Sequence, residues 1–225
     1  MKQTEVKVLT DLRDKIRTRE LYQDIFNEDS DAFVSFYYED RCRDNKIVIS
    51  EQDEHILSMA HINPYHMMVK GKNVKIYYIY AVATDRAHRH EGHMREVLEC
   101  AFREMQEEDI PFCFLIPVDE KIYEPFGFET IAEYQTDRHP DPETLQKQYD
   151  VYCVRDEDYQ RRLQEEERIA MLAGEGDGLP EHPVIMAKVI SKEAFAKLSG
   201  LTVNTQPEQM LAWLREQKIY ISEDI

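Results

Sequence analysis

The residues best equipped for chemistry lie in one short run, Asp85 to Met94 (DRAHRHEGHM), where Arg86, His88, Arg89 and His90 gather beside a single glycine, Gly92. A basic, glycine-bearing turn between a strand and a helix aims free backbone N–H groups and the positive helix end at one spot. That is an anion site, with phosphate the expected occupant. His88, His90 and His93 also have the alternation of metal ligands. A second chemical run is Tyr123 to Phe128 (YEPFGF). Its tyrosine stays protonated at neutral pH and can donate a proton, although in a chain with twelve other tyrosines a packing role is the commoner one from position alone.

The elements on either side of the first run are those such a turn requires. Residues 76–83 (IYYIYAVA) are apolar on both faces, which predicts a central strand buried on two sides. Met94, Val97, Leu98, Ala101, Phe102 and Met105 recur at spacings of three and four, which predicts an amphipathic helix after the turn. Residues 9–26 read as one helix with a drifting stripe, and a second helix starts near Asp29 or Ser30. Residues 46–50 and 55–60 read as a hairpin around EQDE, and 61–73 as a looser segment interrupted by Pro64. Beyond the central helix come a strand ending at Pro117, a helical turn at 119–123, a reversal at Gly127 and another strand. Turn material fills 137–143, followed by a strand at 149–154 and a helix at 156–174. GEGDGLPEHP is a linker, and a strand and two short helices follow it. One strand–helix–strand crossover on a mostly antiparallel sheet flanked by helices is a mixed α/β (α+β) fold.

Charge narrows the functions. Among 225 residues, 28 basic side chains face 45 acidic ones, a formal charge of -17. Such a surface disfavours nucleic acid, whose backbone is held by accumulated lysine and arginine. It suits cationic small molecules, or solubility alone. No apolar run approaches the roughly 18 residues of a membrane span. The N-terminal stretch lacks a secretory pattern, so a cytoplasmic protein is expected. Four scattered cysteines read as buried hydrophobes in a reducing compartment. The absence of GxGxxG argues against a dinucleotide fold.

Two stretches carry a family resemblance. AVATDRAHRHEGHMREVLECAF resembles the coenzyme-A-binding motif of the Gcn5-related N-acetyltransferases, with Arg89, Gly92 and Met94 on its arginine, glycine and small-residue positions. Met94 departs from the usual glycine or alanine. FCFLIPVDEKIYEPFGFE resembles the second landmark, where a tyrosine four residues before glycine–phenylalanine lies near the acetyl thioester. Together they look most like the enhanced-intracellular-survival branch, over roughly residues 5–135, in a shortened form. The resemblance implies an acetyltransferase-type sheet in residues 1–137, a strand–helix extension and linker over 138–179, and a small sterol-carrier-like remnant over 180–225.

It also implies an activity, acetyl transfer from acetyl-CoA to a primary amine of a small molecule or peptide. Backbone N–H groups from His90 through Met94, including Glu91, Gly92 and His93, would hold pyrophosphate, with Arg89 shaping the turn. The amide near Val82 would polarise the carbonyl, Ala83 and Thr84 would flank the pantetheine arm, and Tyr123 would be the general acid. The carboxylate of Ile225 is implied as one candidate base, with His55, Glu28 and Asp31 as alternatives. A turn lying against phosphate leaves little room for metal, so none is expected. The alternative function is a noncatalytic acyl-CoA-binding or assembly module. Trp213 and its helical neighbours form an apolar face that either self-association or docking on the main body would cover.

Overall fold

In the computed structural model, residues 4–174 and 179–224 are described. In chain order the elements are β1 (Glu5–Leu9), α1 (Leu12–Lys15), α2 (Arg19–Ile25), α3 (Asp31–Glu39), β2 (Lys46–Gln52), β3 (His55–Val69), β4 (Lys72–Thr84), α4 (His93–Glu107) and β5 (Phe112–Leu115). They continue with α5 (Glu120–Tyr123), β6 (Glu129–Glu133), α6 (Pro142–Gln148), β7 (Val151–Cys153), α7 (Glu157–Ala173), β8 (Val184–Val189), α8 (Lys192–Ser199), α9 (Pro207–Arg215) and β9 (Ile219–Tyr220). The fold is the expected mixed α/β type, with a mostly antiparallel sheet flanked by helices. Its parallel pairs are β4 with β5 and β7 with β9. None of its described helices is long and apolar enough to cross a membrane.

The chain forms two compact units, and β3 and β4 contribute to both. The first comprises residues 1–63, 79–104 and 155–178, with the strand order β1–β2–β3–β4. The expected single helix at 9–26 is here a strand end, two short helices and an intervening 3-10 turn. Its drifting stripe is the physical reason: no one face stays apolar for more than two turns. Asp11 and Ser30 cap α1 and α3 by accepting from backbone N–H groups of Arg13 and Phe33. The β2–β3 turn uses Asp53 and Glu54 in left-handed conformation (φ +52° and +67°), which matches the twist of a two-residue hairpin.

The core of this unit is aromatic and polar at once. Tyr22, Tyr37, Tyr38 and His61 are all buried, and Tyr37 Oη lies 2.9 Å from His61 Nδ1. Burial, reinforced by the nearby Lys15 ammonium, lowers the pKa of His61 to about 3. The unfolded chain therefore takes up a proton below pH ~6.5 that the folded chain refuses until near pH 3. Stability falls as pH drops through that window, by about 1.4 kcal/mol per pH unit. Urea unfolding at pH 7 and pH 5 should show wild type losing roughly 2 kcal/mol more than His61→Gln. Equal losses would refute this account of the core.

The second unit comprises residues 64–78, 105–154 and 179–225, with the strand orders β4–β5–β8–β6 and β3–β7–β9. The segment expected to be loose, 61–73, is instead mostly strand. Pro64 is tolerated because it falls between the stretch of β3 registered on β2, which ends at Ile62, and the stretch registered on β7, which starts at Met67. Helix α6, whose first two residues fell in the expected turn material, begins with Pro142 in its first turn and Asp141 as cap. The strand read after the linker, β8, lies between β5 and β6, antiparallel to both, with Phe114↔Ala187 and Glu129↔Ala187 in register. The boundary drawn at 137/138 thus separates β6 from its sheet partner. Residues 175–178 of the expected linker lie outside the described residues. Trp213 packs edge-on against buried Phe195, ring centroids 5.9 Å apart.

Candidate active site

In the first unit, β4 leads into the basic turn through residues whose side chains alternate between buried (Ala81, Ala83) and half-buried (Tyr80, Val82, Thr84). Within the strand Ala81 takes φ +48°. A non-glycine residue in left-handed conformation inside a strand carries strain of about 1 kcal/mol or more, and such residues concentrate at functional sites. Ser58, buried on β3, donates to the Ala83 carbonyl at 2.8 Å and lies 2.9 Å from Thr84 Oγ1, which fixes the strand end. Asp85 then caps a 3-10 turn over Arg86–His88 by accepting from the Ala87 N–H.

Two left-handed residues follow, His90 (φ +67°) and Gly92 (φ +98°), and helix α4 starts at His93. Arg89, His90, Glu91 and Gly92 are exposed, His93 is buried and Met94 is half-buried. Behind the turn, α4 is anchored by fully buried Val97, Leu98, Ala101 and Met105, each larger side chain worth roughly 1.5–3 kcal/mol. The helix end is therefore a fixed platform under an accessible turn.

The same unit holds a carboxylate the sequence did not single out. Tyr22 Oη donates to Asp29 Oδ2 at 2.7 Å and lies 2.8 Å from Tyr80 Oη. Glu28 and Asp31, the named candidates, are exposed, and Asp31 accepts from Gln23. Nothing in NEDSD marks the middle acid, because the choice depends on where the chain turns before α3. His55 is exposed and 3.2 Å from Asp85.

In the second unit, Tyr123 closes α5. A 3-10 turn over Glu124–Phe126 follows, with Pro125 as its second residue, and Gly127 ends it in left-handed conformation. Lys188 of β8 donates to the Phe126 carbonyl at 2.7 Å, so the YEPFGF turn is pinned to the sheet. Tyr123 is buried edge-on to Phe128, and burial alone pushes its phenol up to about 12. The parallel register of β4 on β5 covers Tyr77↔Cys113 and Tyr78↔Phe114. The chain end is tied to the same unit: Tyr78 Oη donates to the Asp224 carbonyl, Tyr134 Oη to the Ser222 carbonyl, and Arg138 pairs with the Asp224 carboxylate at 3.2 Å. Ile225 itself lies outside the described residues.

The acetyltransferase (GNAT) domain family matches residues 11–131, more than half of the chain. The chain belongs to the GNAT acetyltransferase family. No curated protein matches the sequence. Among solved structures, the GNAT fold is shared with a conserved protein of unknown function from Enterococcus faecalis V583, at 17% identity and TM-score 0.54 over 61% of this chain and 36% of that one. It is shared with Eis1 from Mycobacterium abscessus at 11% identity and TM-score 0.54, over 72% and 47% of the two chains. A GCN5-related N-acetyltransferase from Kribbella flavida matches at 9% identity and TM-score 0.53, over 87% and 74%. These identities speak to the fold alone. The chain spans about a third of the length of the Enterococcus protein and of a GCN5-related N-acetyltransferase from Anabaena variabilis.

Proposed function

We propose that this GNAT-family chain transfers an acetyl group from acetyl-CoA to a primary amine by direct attack. The observation that carries the reading is the turn from Asp85 to Met94, in which left-handed His90 and Gly92 precede the N-terminus of a fifteen-residue helix. Backbone N–H groups of residues 90–94 and the helix end hold the pyrophosphate, with exposed Arg89 as a further cation.

The left-handed conformation of Ala81 gives the thioester carbonyl its partner. A left-handed residue interrupts regular strand geometry one position before Val82, whose N–H then serves the developing oxyanion. Ala83 and Thr84 flank the pantetheine arm. The amine lone pair forms the new C–N bond, the C–S bond breaks, and the thiolate takes the Tyr123 proton. The nitrogen gives up its proton to a base within hydrogen-bond reach, directly or through water.

Placement in the enhanced-intracellular-survival-like branch belongs to the same proposal and rests on the sequence motifs. Residues 180–225 serve, on this reading, to close the acetyltransferase sheet through β8 instead of forming a separate sterol-carrier-like remnant.

Titration calorimetry with acetyl-CoA, followed by thiol release with a panel of polyamines, aminoglycosides and peptide amines, tests the reading. Binding together with amine-dependent thiol release is expected. Binding without release to any amine class would favour a noncatalytic acyl-CoA module, and no binding would end the proposal.

A further inference from the structure

The turn that supplies backbone donors also assembles three side chains. His88 Nδ1 lies 3.1 Å and His93 Nε2 3.3 Å from the same Glu91 oxygen, Oε2. One donor atom from each of the three residues lies within 4.8 Å of the other two. We propose that His88, Glu91 and His93 form a binding site for a divalent transition metal, with zinc the best match to two imidazoles and one carboxylate.

The spacing fits. Zinc holds nitrogen and oxygen ligands at about 2.0–2.2 Å in tetrahedral array, which places neighbouring ligand atoms roughly 3.3–3.5 Å apart. Two of the three edges are already within a few tenths of an ångström of that. His93 is buried, and its other nitrogen, Nδ1, lies 3.2 Å from Ser50 Oγ and 3.5 Å from a Glu96 oxygen. Outer partners of this kind fix the orientation of a metal-ligating imidazole. Exposed Glu91 and half-buried His88 leave an approach for the ion and an open fourth position for water.

Sequence spacing offered His88, His90 and His93 as ligands of a metal that the phosphate reading of the turn did not lead one to expect. The left-handed conformations at residues 90 and 92 change that membership, because Glu91 takes the place that alternation gave to His90. A neighbouring trio, His55, Asp85 and His88, shares one ligand but includes no buried residue, and its Asp85 already accepts the Ala87 N–H. A bound dication would turn the negative charge of Glu91, set in an otherwise anion-attracting turn, into a net positive one. The metal site uses side chains only and does not depend on the acetyl-CoA reading.

The test is zinc titration of the untagged, chelator-stripped full chain by calorimetry and by competition with a chromophoric chelator, with visible absorption of the cobalt-substituted protein as spectroscopic signature. One equivalent should bind, Glu91→Gln and His88→Ala should each abolish that equivalent, and His55→Ala should retain it. Glu91 is at the surface, so Glu91→Gln keeps the fold, which circular dichroism checks. Absence of stoichiometric binding to wild type, or binding unchanged in Glu91→Gln and His88→Ala, overturns the proposal. Loss in His55→Ala with retention in Glu91→Gln overturns it in favour of the neighbouring trio. Acetyl-CoA binding by the metal-free protein, titrated separately, keeps failure of this site distinct from failure of the proposed function.

Discussion

Gly92→Asp is expected to weaken acetyl-CoA binding by roughly a hundredfold or more in titration calorimetry. Two effects contribute, and magnitudes separate them. Gly92 holds φ +98°, yet a Cβ built there meets no atom within 4 Å, so the steric cost of a side chain is conformational alone. Gly92→Ala should therefore lose only about 1 kcal/mol, near fivefold. Aspartate tolerates left-handed backbone better than most residues, so the turn should survive in that variant too. Its added carboxylate, about 5 Å from a bound pyrophosphate charge, costs about 3 kcal/mol at an effective dielectric near 20. A Gly92→Asp protein that binds acetyl-CoA as tightly as Gly92→Ala would remove the phosphate from this turn.

The second large effect is expected in turnover. Tyr123→Phe keeps the ring that packs on Phe128 and removes the proton donor. The predicted result is a kcat lower by about a hundredfold or more with little change in the KM for acetyl-CoA, the pattern of a group that acts in the transition state. Because burial raises the Tyr123 pKa to about 12, the phenol remains protonated across the neutral and mildly alkaline range. Wild-type kcat should then show no alkaline decline from this residue below about pH 10. A kcat within twofold of wild type for Tyr123→Phe would dismiss the tyrosine as general acid and leave it a packing residue.

What the sequence made readable was local. The basic turn, the apolar stripe of α4 and the capping signal at Ser30 each lie within a few residues, and the structure has them where the sequence put them. The left-handed conformation of Ala81 had no such signal. Alanine has no preference for that conformation, so nothing local announces it. Asp29 could not be told from Glu28 and Asp31, since all three are polar acids and only the entry into α3 decides which one meets Tyr22. The strand β1, with valines alternating against Glu5 and Lys7, was too short to stand out until β2 gave it a partner. β8 was legible as a strand, but its neighbours were not, because pairing with β5 and β6 reaches across most of the second unit's sequence.

That long reach gives the chain a schedule. When β5 and β6 leave the ribosome, residues 134–183 still separate them from the strand that belongs between them. At about 5–20 residues per second, the slot stays open for some seconds, and two strand edges face the cell meanwhile. Nascent chains stalled before residue 184 should therefore be prone to association and to chaperone capture, whereas chains extended past the end of β8 can close the sheet. Shortening the protein from its C-terminus into β8 would leave this sheet unfinished, without the late-made strand that belongs between two made earlier.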